Sequence, residues 1–236
     1  MINQNRLQQQ VQFYNLLERL EQKEGVRYLR NCHGRMEWPK RGIYFFMEDG
    51  EQRSDTGDGL RIVRVGTHAI SGSSKTTLWN RLSQHRGNQK SGGGNHRGSI
   101  FRLIVGTAIL DNLHIECDTW GKGSTAPRSV RDNEIEVEQL VSAYIGNMPF
   151  LWLDVGDQPG PNSQRGYIER NAIALLSNTG KPNLDSPSQS WLGHQCDRDR
   201  VKKSGLWNQN HTGEDYAPAF LDTLERLIDN LRVPAS

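Results

Sequence analysis

The chain has no long apolar run. Only 34% of its 236 residues are apolar, and the mean hydropathy is −0.73. No stretch approaches the ~20 apolar residues that span a bilayer. The N-terminal Met1-Ile2-Asn3-Gln4-Asn5-Arg6 lacks a secretory hydrophobic region. A membrane role is therefore not expected, and a cytoplasmic location is. Cysteine is scarce too. Cys32, Cys117 and Cys196 are odd in number, far apart and form no Cys-x-x-Cys pair. That speaks against a disulfide framework or a zinc site and for reduced thiols. A phosphate-binding P-loop is also missing. Five residues separate Gly66 from Gly72 and Lys75 follows three later, a register from which the lysine would not reach the phosphates.

What is present is an uneven charge. The formal net charge is only +2, yet residues 25–104 hold 14 Lys and Arg against 6 Asp and Glu. Residues 105–236 hold 12 against 18. A basic block of this kind is an electrostatic footprint for a polyanion such as DNA.

The same block contains the clearest pattern. Gly42-Ile43-Tyr44-Phe45-Phe46 and Arg61-Ile62-Val63-Arg64-Val65-Gly66 flank a polar stretch with Asp49-Gly50 and Asp58-Gly59, which predicts a two-stranded hairpin. Residues 78–86 predict a helix, capped by Ser73 or Ser74, with Leu78 and Leu82 one turn apart. Arg81 and His85 fall at the edge of its buried stripe.

Gly42-Ile43-Tyr44, Val65-Gly66 and Arg81 on a following helix resemble the motifs of the GIY-YIG nuclease family. The resemblance implies an α/β fold, a small antiparallel β-sheet flanked by helices. Here it carries N- and C-terminal helical extensions. The expected organisation is 1–39 as an N-terminal helix and basic connector, 40–212 as the nuclease domain with loop insertions, and 213–236 as a closing helix. His85, four residues after Arg81, fits the family. The tyrosine of the second motif is replaced by Arg64, so that its role is either lost or passed to a basic side chain that would stabilise charge.

Downstream, helices are expected over 7–20, 134–145, 163–176 and 217–231, and a buried strand over 149–155. Residues 99–110 are apolar with a period that fits helix or strand. On the 163–176 wheel, Glu169 points into the arc formed by Ile168, Ala172, Ile173 and Leu176. A carboxylate there needs a partner, and either Arg165 or a metal ion answers that need. The resemblance makes Glu169 the ligand of Mg²⁺ or Mn²⁺. It also implies an asparagine after that helix. Asn208, just past Trp207, fits best, with Asn178 and Asn210 as rivals.

The resemblance thus implies a metal-dependent endonuclease acting on DNA. Arg81 would grip the scissile phosphate, Tyr44 would handle the attacking water and His85 would assist the proton transfer. DNA contacts are expected from Arg41, His68, Lys75 and Arg86, and from Lys90, Asn95, His96 and Arg97 in the Gly-rich loop 87–98, which reads equally as a surface insertion or as a DNA-contacting flap. The alternative is a nucleic-acid-binding module on the same fold that has lost cleavage.

Overall fold

A computed structural model describes residues 4–231 of the chain. Helix α1 (Gln4–Glu24) is followed by a two-residue strand β1 (Arg27–Tyr28) and the hairpin β2 (Gly42–Gln52) and β3 (Leu60–Gly66). Helices α2 (Leu78–Arg86), α3 (Ile100–Leu113), α4 (Arg128–Asn133) and α5 (Ile135–Gly146) come next, then β4 (Pro149–Asp154). Helices α6 (Gln164–Leu176), α7 (Asp199–Ser204) and α8 (Phe220–Asp229) complete the described chain. The expected closing helix falls partly outside the described residues, which end at 231. No described helix is long and apolar enough to cross a membrane.

The four strands form an antiparallel sheet in the order β1-β4-β2-β3. Tyr44, on a central strand, pairs with Gly66 on one side and Trp152 on the other. Both sheet faces are covered, so β2 is apolar on both, from Gly42 to Met47. Ile43, Phe45, Leu151 and Leu153 face the layer made by α1, α6 and α8. Tyr44, Phe46, Phe150 and Trp152 face α2, α3 and α5. A fully buried Phe or Leu contributes about 1.5–3 kcal/mol. The terminal helices, which bury Phe13, Leu16, Leu17, Leu20, Phe220 and Leu224, therefore belong to the core.

A bulge in the hairpin positions the site. Phe46 pairs with Arg64 and Met47 with Ile62, so β3 carries one extra residue, Val63. Strict alternation from Ile62 would put Arg64 on the Ile62 face. The bulge re-aims it to the face of Tyr44 and Phe46.

Local details differ from the sequence expectations. Thr77, not Ser73 or Ser74, caps α2, in a reciprocal capping box with Asn80. Residues 100–113 form a helix started by the Ser99 side chain. The connector 25–39 hides β1, and the loop 178–200 ends in a 3₁₀ turn and the start of α7. On α5, where helical periodicity would turn Leu140 inward with Val137, Val141, Tyr144 and Ile145, Leu140 is exposed and Glu138 is buried against Arg102.

Candidate active site

Tyr44 lies flat against the end of the hairpin. A Cβ built on Gly66 would overlap the Tyr44 hydroxyl and ring, so the absence of a side chain at 66 is what lets the phenol sit there. The Tyr44 hydroxyl is 2.8 Å from His85 Nε2. On the far side of the imidazole, Nδ1 is 2.8 Å from the Ser99 hydroxyl oxygen. That oxygen already accepts the Arg102 N–H at 3.3 Å as the cap of α3. His85 Nδ1 is the one acceptor within reach of the buried Ser99 hydroxyl hydrogen among the described residues. Leaving that hydrogen unbonded costs about 1–3 kcal/mol. The arrangement therefore selects the tautomer protonated on Nε2, which donates to Tyr44. Burial, with Arg81, Arg64 and Arg102 nearby, holds the His85 pKa well below the usual imidazole value, so the ring is neutral.

A cavity of about 260 Å³ opens in front of this relay. Tyr44, Arg64, Arg81, Glu169 and Asn208 line it. Arg81 is partly exposed and steadied by Gln84 Oε1 at 3.0 Å and Gly98 O at 3.3 Å. Arg64 is buried, with its guanidinium 4.4 Å from the Phe101 ring centroid and one nitrogen donating to Trp207 O. Its Nε has no hydrogen-bond partner. Buried polar groups are nearly always bonded, and an exception calls for an explanation. Here Tyr44 and Glu169 act on the buried guanidinium as a whole and offset part of its cost.

Glu169 accepts the Thr67 N–H at 3.1 Å through Oε1 and joins no ion pair among the described residues. Burial raises its pKa, opposed by Arg64, the Thr67 amide, His211 and Arg81. The rival explanation for this carboxylate fails. Arg165 is fully buried and pairs with Asp157 at 2.5 Å while donating to the carbonyls of His68 and Ala69. No group of three or more His, Cys, Asp or Glu clusters for a metal among the described residues. A cation at Glu169 thus fits the charge of the carboxylate, with water and substrate oxygens completing its shell.

Asn208 sits where both its amide atoms bond the backbone of Val65. It accepts from Val65 N at 3.2 Å and donates to Val65 O at 2.8 Å. With the Trp207 N–H on Val63 O at 2.7 Å, this segment extends the sheet beyond β3. Asn178 is far from the cavity lining, bonded to Arg6 and Leu184. Asn210 is on the rim.

The sequence profile described as GIY-YIG domain matches residues 4–234. The chain belongs to the GIY-YIG domain family. No curated protein and no solved structure matches it.

In this GIY-YIG protein the expected motif residues come together: Tyr44, Arg64, Arg81, Glu169 and Asn208 around one cavity, with His85 behind Tyr44. The expected DNA contacts need correction. His68 is buried, and burial with Arg165 nearby drives its pKa down to about 4, so it carries no charge for a phosphate. Arg86 turns away, donating to Cys32 O and lying 4.9 Å from the Trp79 ring centroid. Arg41 donates to Asp157 O at the end of β4. Lys75 and Lys90 remain exposed.

The loop 87–98 is not a free flap. His96 is buried, bonds Glu138 at 3.0 Å and stacks on Trp120. Asn95 caps the short turn that follows it. Arg97 makes two bonds to Glu134, at 2.6 and 2.8 Å, with both side chains nearly inaccessible. Arg97→Ala strands that carboxylate. The variant is expected to lose about 3 kcal/mol of stability in denaturant unfolding while DNA affinity stays near wild type. A stable variant with weak DNA binding would restore Arg97 as a DNA contact.

Sequence reading missed Ser99, Thr67 and His211 at the site. Ser99 was visible as a cap residue before an apolar run, but its bond to His85 depends on the packing of α3 against α2.

Proposed function

We propose that the protein is a divalent-metal-dependent endonuclease that hydrolyses DNA phosphodiester bonds at this cavity. Membership of the family supports the nuclease class. The observation that carries the reading for this chain is that two opposite needs line one cavity: the Arg64 and Arg81 guanidiniums, which call for an anion, and the Glu169 carboxylate, which joins no ion pair among the described residues. A phosphate ester with a cation answers both at once.

The geometry supports the following roles. Arg81 and Arg64 place planar forks of donors on the phosphate oxygens, where charge grows as the fifth P–O bond forms. Tyr44 holds the attacking water and handles its proton. To take that proton Tyr44 acts as a phenolate, whose charge before the transfer is met by the His85 N–H, fixed by Ser99, and by the nearby Arg64. His85 thus acts as a donor to Tyr44, a more specific role than the general assistance expected from the motif. Asn208 fixes the wall of the cavity by clamping Val65. Mg²⁺ or Mn²⁺ held by Glu169 would supply charge neutralisation at the phosphate and the leaving oxygen.

Supercoiled plasmid DNA is expected to be nicked with Mg²⁺ or Mn²⁺ and left intact with a chelator. Plasmid that is bound but uncut with both ions would leave only a nucleic-acid-binding module.

A further inference from the structure

The segment after Asn208 brings to the cavity an imidazole that the chemistry above does not use. Asn208 is clamped to the free edge of β3, and the chain then runs along the rim through Gln209 and Asn210 to His211. His211 has φ 64°. Histidine tolerates this left-handed conformation better than most side chains, and here it turns the imidazole toward Glu214. Its Nδ1 lies 2.7 Å from Glu214 Oε1, and the other oxygen of Glu214 is 3.2 Å from Arg170 Nε. With the Nδ1 proton given to Glu214, Nε2 is left with its lone pair and no hydrogen-bond partner among the described residues.

Its position is specific. A second cleft of about 580 Å³, lined by Ile70, Asn162, Tyr167 and Arg170, adjoins the active-site cavity. Glu169 and His211 are the two residues that line both. They stand together at the junction of the two spaces.

We infer that His211, through Nε2, is the second protein ligand of the divalent cation held by Glu169. The inference rests on the metal-dependent reading above. A metal-bound histidine almost always gives its other N–H to a carboxylate or a carbonyl, which fixes the ring and raises its basicity. Glu214 does this here. One carboxylate and one imidazole leave open positions for water and phosphate. They also tilt the site toward Mn²⁺, since imidazole suits a transition ion better than Mg²⁺.

Binding of Mn²⁺ alone to the full chain tests this without any cleavage assay. Titration calorimetry gives the affinity, and pulsed electron paramagnetic resonance reports nitrogen bonded to Mn²⁺. Wild type is expected to show imidazole ¹⁴N coupling. His211→Asn, whose side chain tolerates the left-handed backbone, is expected to lose the coupling and bind Mn²⁺ at least tenfold more weakly. Glu214→Gln keeps the coupling and loses about tenfold in affinity. Mn²⁺ that binds in a Glu169-dependent way without ¹⁴N coupling would overturn the role of His211 and leave the metal site standing. No Mn²⁺ binding by wild type would overturn both.

Discussion

Glu169→Gln is expected to lower plasmid cleavage by several orders of magnitude while DNA binding persists. The amide is nearly isosteric with the carboxylate but a poor ligand for a hard cation. Stability should move the other way from a broken ion pair. Arg165, the one cation a helical turn away, is already committed to Asp157, so no ion pair is broken, and the charge attraction lost to Arg64 is smaller than the burial cost relieved. Burial raises the Glu169 pKa in the folded protein, so the ionised carboxylate opposes folding at neutral pH. That opposition fades as pH falls through the raised pKa, where the folded state takes up its proton. Relative to wild type, the metal-free variant should therefore be equally or more stable at neutral pH, with the gain shrinking as pH is lowered. Thermal unfolding over a pH series measures this. A variant that cuts at the wild-type rate with Mn²⁺ would remove Glu169 from the site. A marked loss of stability would mean that the carboxylate has a cation partner in the apo protein.

How far the sequence carries the reader depends on the range of the interaction. The hairpin, α2 and α6 follow from local periodicity, and so does the inward aim of Glu169. Tyr44 and Arg81 follow from motif spacing. Arg64 does not follow from alternation, because one bulged residue, Val63, decides which face it takes. The basic loop was misread for a related reason. Arg97 and His96 look like free cations in sequence, but their acids arrive 37 and 42 residues later, Glu134 at the junction of α4 and α5 and Glu138 on α5. Asn208 was found by its place after Trp207. Its work, pairing with both backbone groups of Val65, needs the chain to return to the edge of β3.

Arg64→Ala is expected to lower cleavage by about 10²–10³-fold, the scale of one donor removed from a preorganised site, with little change in folding stability. Two observations separate catalysis from structure here. Arg64 makes no ion pair among the described residues, and burial lowers its pKa, so its charge is held at a cost to the fold. Against that stand the bond to Trp207 O, the contact with Phe101 and the interactions with Tyr44 and Glu169. The two sides roughly offset, and the truncated protein should unfold near the wild-type midpoint. Arg64→Lys sharpens the test. A lysine retains the charge but has no Nε–H and no planar fork, so it cannot present two donors to a phosphate while holding Trp207 O. Its cleavage should stay well below wild type, closer to that of the alanine variant, with DNA affinity nearly unchanged in both. Near-normal cleavage by the lysine variant would show that only charge matters at this position. Near-normal cleavage by the alanine variant would show that Arg64 serves the fold and that the second motif has no catalytic side chain.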